Sequence, residues 1–148
     1  MRTQYTIKKI EINTAEYLQA RQIRCAVFVE EQGVSAEEEY DAFDAIATHF
    51  LVVDALTQEA CATARWRFTE KGVKLERFAV LPAHRGKGVG KYLIEGVLTD
   101  IATHPQSVGK LLYLHAQVHV IGLYEKCGFA ITGEPFYEAG IKHMKMQK

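Results

Sequence analysis

At 148 residues the chain has the length of one domain, and 48% hydrophobic with 24% charged residues excludes a disordered or collagen-like protein. Eighteen Lys and Arg against eighteen Asp and Glu leave no net charge with His neutral, which argues against a dedicated nucleic-acid binder. No apolar run nears the roughly 20 residues that span a bilayer, and the N-terminus lacks the apolar core of a signal peptide. The three cysteines, Cys25, Cys61 and Cys127, are far apart and form no C-x-x-C pair, so neither a disulfide framework nor a zinc site is expected and a reducing cytoplasm is the expected location.

Tyr5, Ile7, Ile10 and Ile12 predict a first strand over 5–12 with a slip near Lys8-Lys9. Asn13 or Thr14 caps a helix running through Glu16 to about residue 29, with Ala20, Ile23 and Val27 at three- and four-residue spacing. Residues 30–44 follow with seven carboxylates and no base. Strands over 49–56 and 61–69 flank a hairpin-length loop, Thr57-Gln58-Glu59, and a fourth strand over about 73–81 ends at Pro82. Residues 88–103 read as a helix: Val89, Leu93, Val97 and Ile101 recur every four residues, and Ile94 and Leu98 widen the stripe. The nearly continuous apolar run 111–116 predicts a strand buried on both faces. A short helix over about 118–127 ends at Gly128, and strands over 129–132 and 143–146 complete the chain. No repeat or linker divides the sequence, so a single domain, 1–148, is expected. Hairpins mixed with crossover helices predict an α+β (mixed α/β) sheet.

The most informative segment runs from Leu75-Glu76-Arg77-Phe78-Ala79-Val80 through Pro82 to Arg85-Gly86-Lys87-Gly88-Val89-Gly90-Lys91. A strand enters a loop with three glycines in five residues, and the loop enters an amphipathic helix. Glycine lets backbone N–H groups approach a ligand, and the first N–H groups of a helix lack internal partners and carry partial positive charge. Such a turn is an anion site, and phosphate is the commonest suitable anion. Between Arg65 and Lys91 stand eight basic residues and two acidic ones, among them Arg85, Lys87 and Lys91 beside the turn. The loop is not a Walker A sequence: no glycine stands five residues before Gly90, and Tyr92 follows Gly90-Lys91 where a hydroxyl for magnesium is required. Gly86, Gly88 and Gly90 are spaced by two, which is not the G-x-G-x-x-G of a dinucleotide fold. A turn serving only chain reversal explains neither the flanking cations nor the immediate helix.

Arg85-Gly86-Lys87-Gly88-Val89-Gly90 resembles the coenzyme A loop of the GNAT superfamily of acyl-CoA-dependent N-acyltransferases. Some thirty residues on, Gln117 and Leu123-Tyr124-Glu125-Lys126-Cys127-Gly128-Phe129 are similar to the family's strand–helix element, with Gln117 where Asn is usual. Val27-Phe28-Val29-Glu30-Glu31-Gln32-Gly33-Val34, followed by Asp41, Asp44 and His49, is similar to the ElaA-like branch. The likeness covers nearly the whole chain.

This resemblance implies a central, mostly antiparallel sheet flanked by helices, in which the fourth and fifth strands splay apart. Acetyl-CoA would be the co-substrate, without metal. Its pantetheine arm would pair with the backbone of Phe78, Ala79 and Val80, and its pyrophosphate would rest on the N–H groups of Arg85, Gly86, Lys87, Gly88, Val89 and Gly90, with Gln117 nearby. The implied reaction is attack of a neutral amine on the thioester through a tetrahedral intermediate. An alkyl amine with a pKa near 10.4 must first lose a proton, and a departing thiolate with an ordinary pKa of about 8.5 benefits from an acid. Tyr124 matches the family's general acid, and its L-Y-E-K-x-G-F context favours that role over the alternative of an ordinary packing tyrosine.

Strand alternation puts Glu76, Phe78 and Val80 on one face, so Glu76 ranks first as general base, against an alternative role as ion-pair partner of Arg65, Arg67 or Arg77. His115 and His119 stand in reserve as groups that titrate near neutrality. The acidic stretch is either an attractor for a cationic amine or a solvated loop, with equal weight. His49 and Trp66 read as structural residues. The acceptor is a small-molecule or peptidic amine, with no nucleic acid or membrane partner, and homodimers occur among relatives. Two other readings remain: a non-catalytic acyl-CoA-sensing module, and a peptide-binding domain using the open cleft.

Overall fold

The computed structural model describes residues 4–148. Seven strands form one sheet in the order β1-β2-β3-β4-β5-β7-β6. They are β1 (Tyr5–Ile10), β2 (Thr48–Asp54), β3 (Ala60–Thr69), β4 (Gly72–Val80), β5 (Leu112–Gln117), β6 (Ala130–Glu138) and β7 (Ile141–Gln147). All neighbours run antiparallel except β4 and β5, which are parallel and joined through a helix. The helices are α1 (Ala15–Arg24), α2 (Ala36–Glu39), α3 (Val89–Ala102) and α4 (Ile121–Lys126). This is the expected mixed α+β fold in the expected element order.

Local chemistry accounts for the helices. The Thr14 hydroxyl accepts the Tyr17 N–H at 3.2 Å and starts α1. Beyond Arg24 the same helix continues as a π-helical turn over Cys25–Glu31, which carries Val27 into the core beside Ala20 and Ile23. These side chains cover Ile10, Leu51 and Ala79 on one face of the sheet. On the other face, the α3 stripe of Val89, Leu93, Ile94, Val97 and Ile101 meets Val73, Leu75, Leu114 and Met146. Each such fully buried aliphatic side chain contributes about 1.5–3 kcal/mol of transfer free energy.

Two strand expectations change. The β1–β2 ladder is unbroken from Tyr5 to Ile10, so no slip occurs near Lys8-Lys9. Tyr5 and Ile7 face the α3 layer and Ile10 faces α1, so both faces of this strand are covered and it only looked out of phase. β6 extends from Ala130 to Glu138 rather than stopping at Thr132, because its irregularity between Thr132 and Phe136 absorbs Pro135 on the outermost strand. It turns into β7 through Ala139 and Gly140, both left-handed at φ 53° and 77°, the geometry of a two-residue hairpin.

Candidate active site

β4 and β5 pair only at Val73 with Leu112, Lys74 with Tyr113, and Leu75 with Leu114. Past Leu75 and Leu114 the strands diverge. The outer edge of β4 from Glu76 onward faces no strand, while its inner edge stays paired with β3 through Val80. This is the splay that the resemblance implied.

The glycine turn lies at the C-terminal end of β4. Gly86 and Gly88 hold φ of 75° and 82°, and a Cβ on either would meet nothing within 4 Å, so the turn borders open space. The N–H groups of Gly86, Lys87 and Gly88 donate to no group among the described residues, and the first amides of α3 have no helical acceptor. Gly90 serves packing: its Cβ position is 3.1 Å from Leu123 of α4. A cradle of open amides beside Lys87 and Lys91 fits a diphosphate. Arg85 is engaged elsewhere. Its Nε donates to the Val80 carbonyl at 2.9 Å, and its two terminal nitrogens donate to Glu31 at 2.7 and 2.6 Å. That pair holds the Glu31 carboxyl below the usual range.

Tyr124 stands in α4, its ring edge-on to Phe78 with centres 5.9 Å apart. Burial raises its pKa, so the phenol keeps its proton at neutral pH. Every enclosed side-chain nitrogen or oxygen among the described residues has a hydrogen-bond partner, and the Tyr124 hydroxyl has none. Its oxygen therefore reaches accessible space beside Phe78. This placement suits a proton donor within the splay.

The expectation that Glu76, Phe78 and Val80 share a face is overturned. Arg65 pairs with Glu76 but Thr63 pairs with Ala79, so Arg77 and Phe78 together oppose Ala64 in a β-bulge. Arg77 sits there at φ 59°, a left-handed conformation that costs a non-glycine residue about 1–2 kcal/mol. Contacts of its guanidinium to Glu39 at 3.3 Å and Asp41 at 3.2 Å hold it in place. The bulge inverts the alternation: Phe78 and Val80 turn to the α3 layer, Ala79 to the α1 side. Glu76 meets Arg65 at 2.7 Å, Arg67 at 2.7 Å and Lys74 at 3.3 Å. Burial pushes its pKa up, but Arg67, Arg65 and Lys74 outweigh burial and hold it below the ordinary value. A carboxylate so compensated is a weak proton acceptor, and the ion-pair alternative describes its contacts.

The acidic stretch is neither a free attractor nor a solvated loop. Four of its seven carboxylates are spent on arginines: Glu31 on Arg85, Glu39 on Arg24 and Arg77, Asp41 on Arg65 and Arg77, Asp44 on Arg24 and Arg65. His49 is buried, its Nε2 donating to the Asp44 carbonyl at 2.9 Å. Trp66 is buried and donates to Asp100 at 3.0 Å.

Gln117, at the end of β5, exchanges two amide hydrogen bonds with Gln32, at 2.8 and 3.1 Å. This clasp ties the segment after α1 to the far wall of the splay. His119 is exposed. His115 is joined by three residues not singled out in the sequence, Phe136, Glu138 and His143. The signal for them was the Ala139-Gly140 hairpin, obscured by Gly133-Glu134-Pro135. Among the described residues no group of His, Cys, Asp or Glu is arranged to hold a metal, and no helix is long and apolar enough to cross a membrane. A hollow of about 270 Å³ between α1 and α2, lined by Leu18, Arg21, Cys25 and Val29, shares no residue with the splay.

The chain was compared with known proteins. A family model described as "Acetyltransferase (GNAT) domain" matches residues 11–148. The Bacillus subtilis protein YyaT is 36% identical over 146 residues, covering 96% of this chain and 94% of that one. The Escherichia coli protein ElaA is 30% identical over 93% of this chain and 90% of its own length, and its crystal structure superposes with a TM-score of 0.81 over 97% of both chains. An acyl-CoA N-acyltransferase from Pseudomonas aeruginosa superposes with a TM-score of 0.78 at 28% identity, again over 97% of both chains.

Proposed function

Since the chain belongs to the GNAT family of acyl-CoA-dependent N-acyltransferases, in the branch that includes ElaA, we propose that it moves an acetyl group from acetyl-CoA to a primary amine by direct attack through a tetrahedral intermediate. The observation that carries this reading is the early end of the β4–β5 ladder at Leu75 and Leu114, which opens a cleft beside the free amides of the glycine turn. When bound, the coenzyme supplies an activated thioester. The backbone edge of Phe78, Ala79 and Val80 takes its pantetheine amides, as an added strand would be taken. The amides of Gly86, Lys87, Gly88, Val89 and Gly90 bind its diphosphate, the Arg85 N–H being already given to the Pro82 carbonyl at 3.2 Å, and Gln117 lines the opposite wall. Tyr124 gives its proton to the departing sulfur.

Glu76 does not enter as the proton acceptor; it holds Arg65 and Arg67 beneath the site. The acceptor is a small-molecule or peptidic amine. Cys25, Cys61 and Cys127 are all free thiols, which suits a reducing cytoplasm.

The test is release of free coenzyme thiol from acetyl-CoA in the presence of a primary-amine panel comprising an alkyl diamine, spermidine, glucosamine and a dipeptide. Transfer to any member supports the reading. A thermal shift with acetyl-CoA but no thiol from any amine points instead to a sensing module, and no shift at all points to a peptide-binding cleft.

A further inference from the structure

His115 is the first residue of β5 beyond the apex of the splay. Leu114 and Ala116 on either side of it pack in the α3 layer, so alternation turns the imidazole to the opposite face. Three strands surround it there. Glu138 of β6 meets its Nδ1 at 3.2 Å, and Phe136 of the same strand lies edge-on with ring centres 5.0 Å apart. His143 of β7 stacks on Phe136 at an interplanar angle of 26°. Lys145 stands opposite His115 on β7, and on β4, whose ladder with β5 ends at Leu75, Lys74 and Glu76 are paired with each other at 3.3 Å.

The chemistry of these contacts assigns the protons. The hydrogen bond from His115, working against burial and with Lys74 nearby, holds Glu138 below the usual carboxyl range, so it is ionised and can only accept. His115 Nδ1 therefore donates, and the neutral ring carries its lone pair on Nε2. That nitrogen has no hydrogen-bond partner among the described residues, and the side chain is 21% exposed. His143 differs: its Nδ1 donates to the Ile141 carbonyl at 2.7 Å, and its Nε2 lies 3.9 Å from Glu138. Of the two imidazoles, one is locked in the hairpin, and the other offers a vacant acceptor nitrogen at the apex of the cleft.

Building on the acyl-transfer reading above, we propose that His115 Nε2 takes the proton from the incoming amine, that Glu138 positions it through Nδ1, and that the floor formed by Phe136 and His143 receives the acceptor. The ammonium gives one proton to Nε2, and the neutral nitrogen forms its bond to the thioester carbon. The C–S bond then breaks, Tyr124 protonates the sulfur, and Tyr124 is reprotonated by the second proton leaving nitrogen. Of the three ammonium protons, one stays on the amide, one ends on the coenzyme thiol, and one leaves His115 for solvent. Glu138 fills the role of a carboxylate that fixes the tautomer of a general base without being protonated itself. The base thus works from one face of the sheet and the acid from the other.

The test uses whichever amine of the panel the wild type acetylates. His115→Ala is expected to lower kcat by about 10²-fold or more, leave the acetyl-CoA thermal shift intact, abolish the acidic limb of the kcat/KM pH profile, and regain activity with added imidazole. Glu138→Gln is expected to lower kcat about tenfold, and the double variant to be no slower than His115→Ala, because Glu138 acts only through His115. An active His115→Ala with an unchanged pH profile, or multiplicative losses in the double variant, overturns the assignment while leaving acyl transfer standing. A folded wild type that binds acetyl-CoA without turnover overturns both.

Discussion

Arg85 and Glu31, 54 residues apart in the chain, meet beside the glycine turn in a two-pronged ion pair at 2.7 and 2.6 Å. Arg85 is thereby held by a carboxylate at the place where a diphosphate would otherwise claim it. Exposed pairs of this kind are worth about 0.2–1 kcal/mol. Glu31→Gln is therefore expected to tighten acetyl-CoA binding by up to about fivefold and to steepen its salt dependence, as read by titration calorimetry at two ionic strengths. Weaker binding in this variant would mean that Glu31 holds Arg85 in its working position.

Tyr124→Phe removes a hydroxyl that has no partner among the described residues and leaves the ring against Phe78. Thermal stability and the acetyl-CoA shift should hardly change, while kcat falls by about 10²-fold. An unchanged kcat would remove Tyr124 from the reaction.

Gly88 separates backbone strain from ligand binding. At φ 82°, Gly88→Ala is expected to cost about 1–2 kcal/mol in denaturant unfolding, with no clash and with coenzyme binding retained. Gly88→Glu adds a negative charge beside the open amides and is expected to abolish binding. Equal binding by the two variants would place the diphosphate elsewhere.

Asp44 ties the buried network to pH. Burial raises its pKa, but the Tyr17 hydroxyl, then Arg24 and Arg65, hold it at about 2, against an ordinary 3.8. Its contribution is complete above about pH 5 and is lost as pH falls through about 2. That contribution amounts to about 2 kcal/mol. Asp44→Asn leaves Arg24 and Arg65 buried and short of a counter-charge, an expected loss of about 3–5 kcal/mol at pH 7. Urea unfolding of both proteins at pH 7 and pH 3 measures each number, and the gap between them should narrow at pH 3.

Local pattern was enough for much of this fold. The stripes of Ala20, Ile23 and Val27 and of Val89, Leu93, Val97 and Ile101 are buried where their spacing placed them, because a helix period is set by its own backbone. The glycine turn was legible for the same reason: a strand end, left-handed positions and a helix start lie within a dozen consecutive residues.

Long-range contacts decided the rest. The face of Glu76 depends on Arg77 adopting a left-handed conformation, held by Glu39 and Asp41, 38 and 36 residues earlier in the chain. The seven carboxylates of 30–44 are indistinguishable as letters, yet folding buries Glu39 and Asp44 against arginines and leaves Glu30 and Glu37 in water. His115 gains Glu138 only because the outermost strand accommodates Pro135 and runs on. In each case the deciding energy is a contact between distant segments, and such a contact exists only after the chain has closed upon itself.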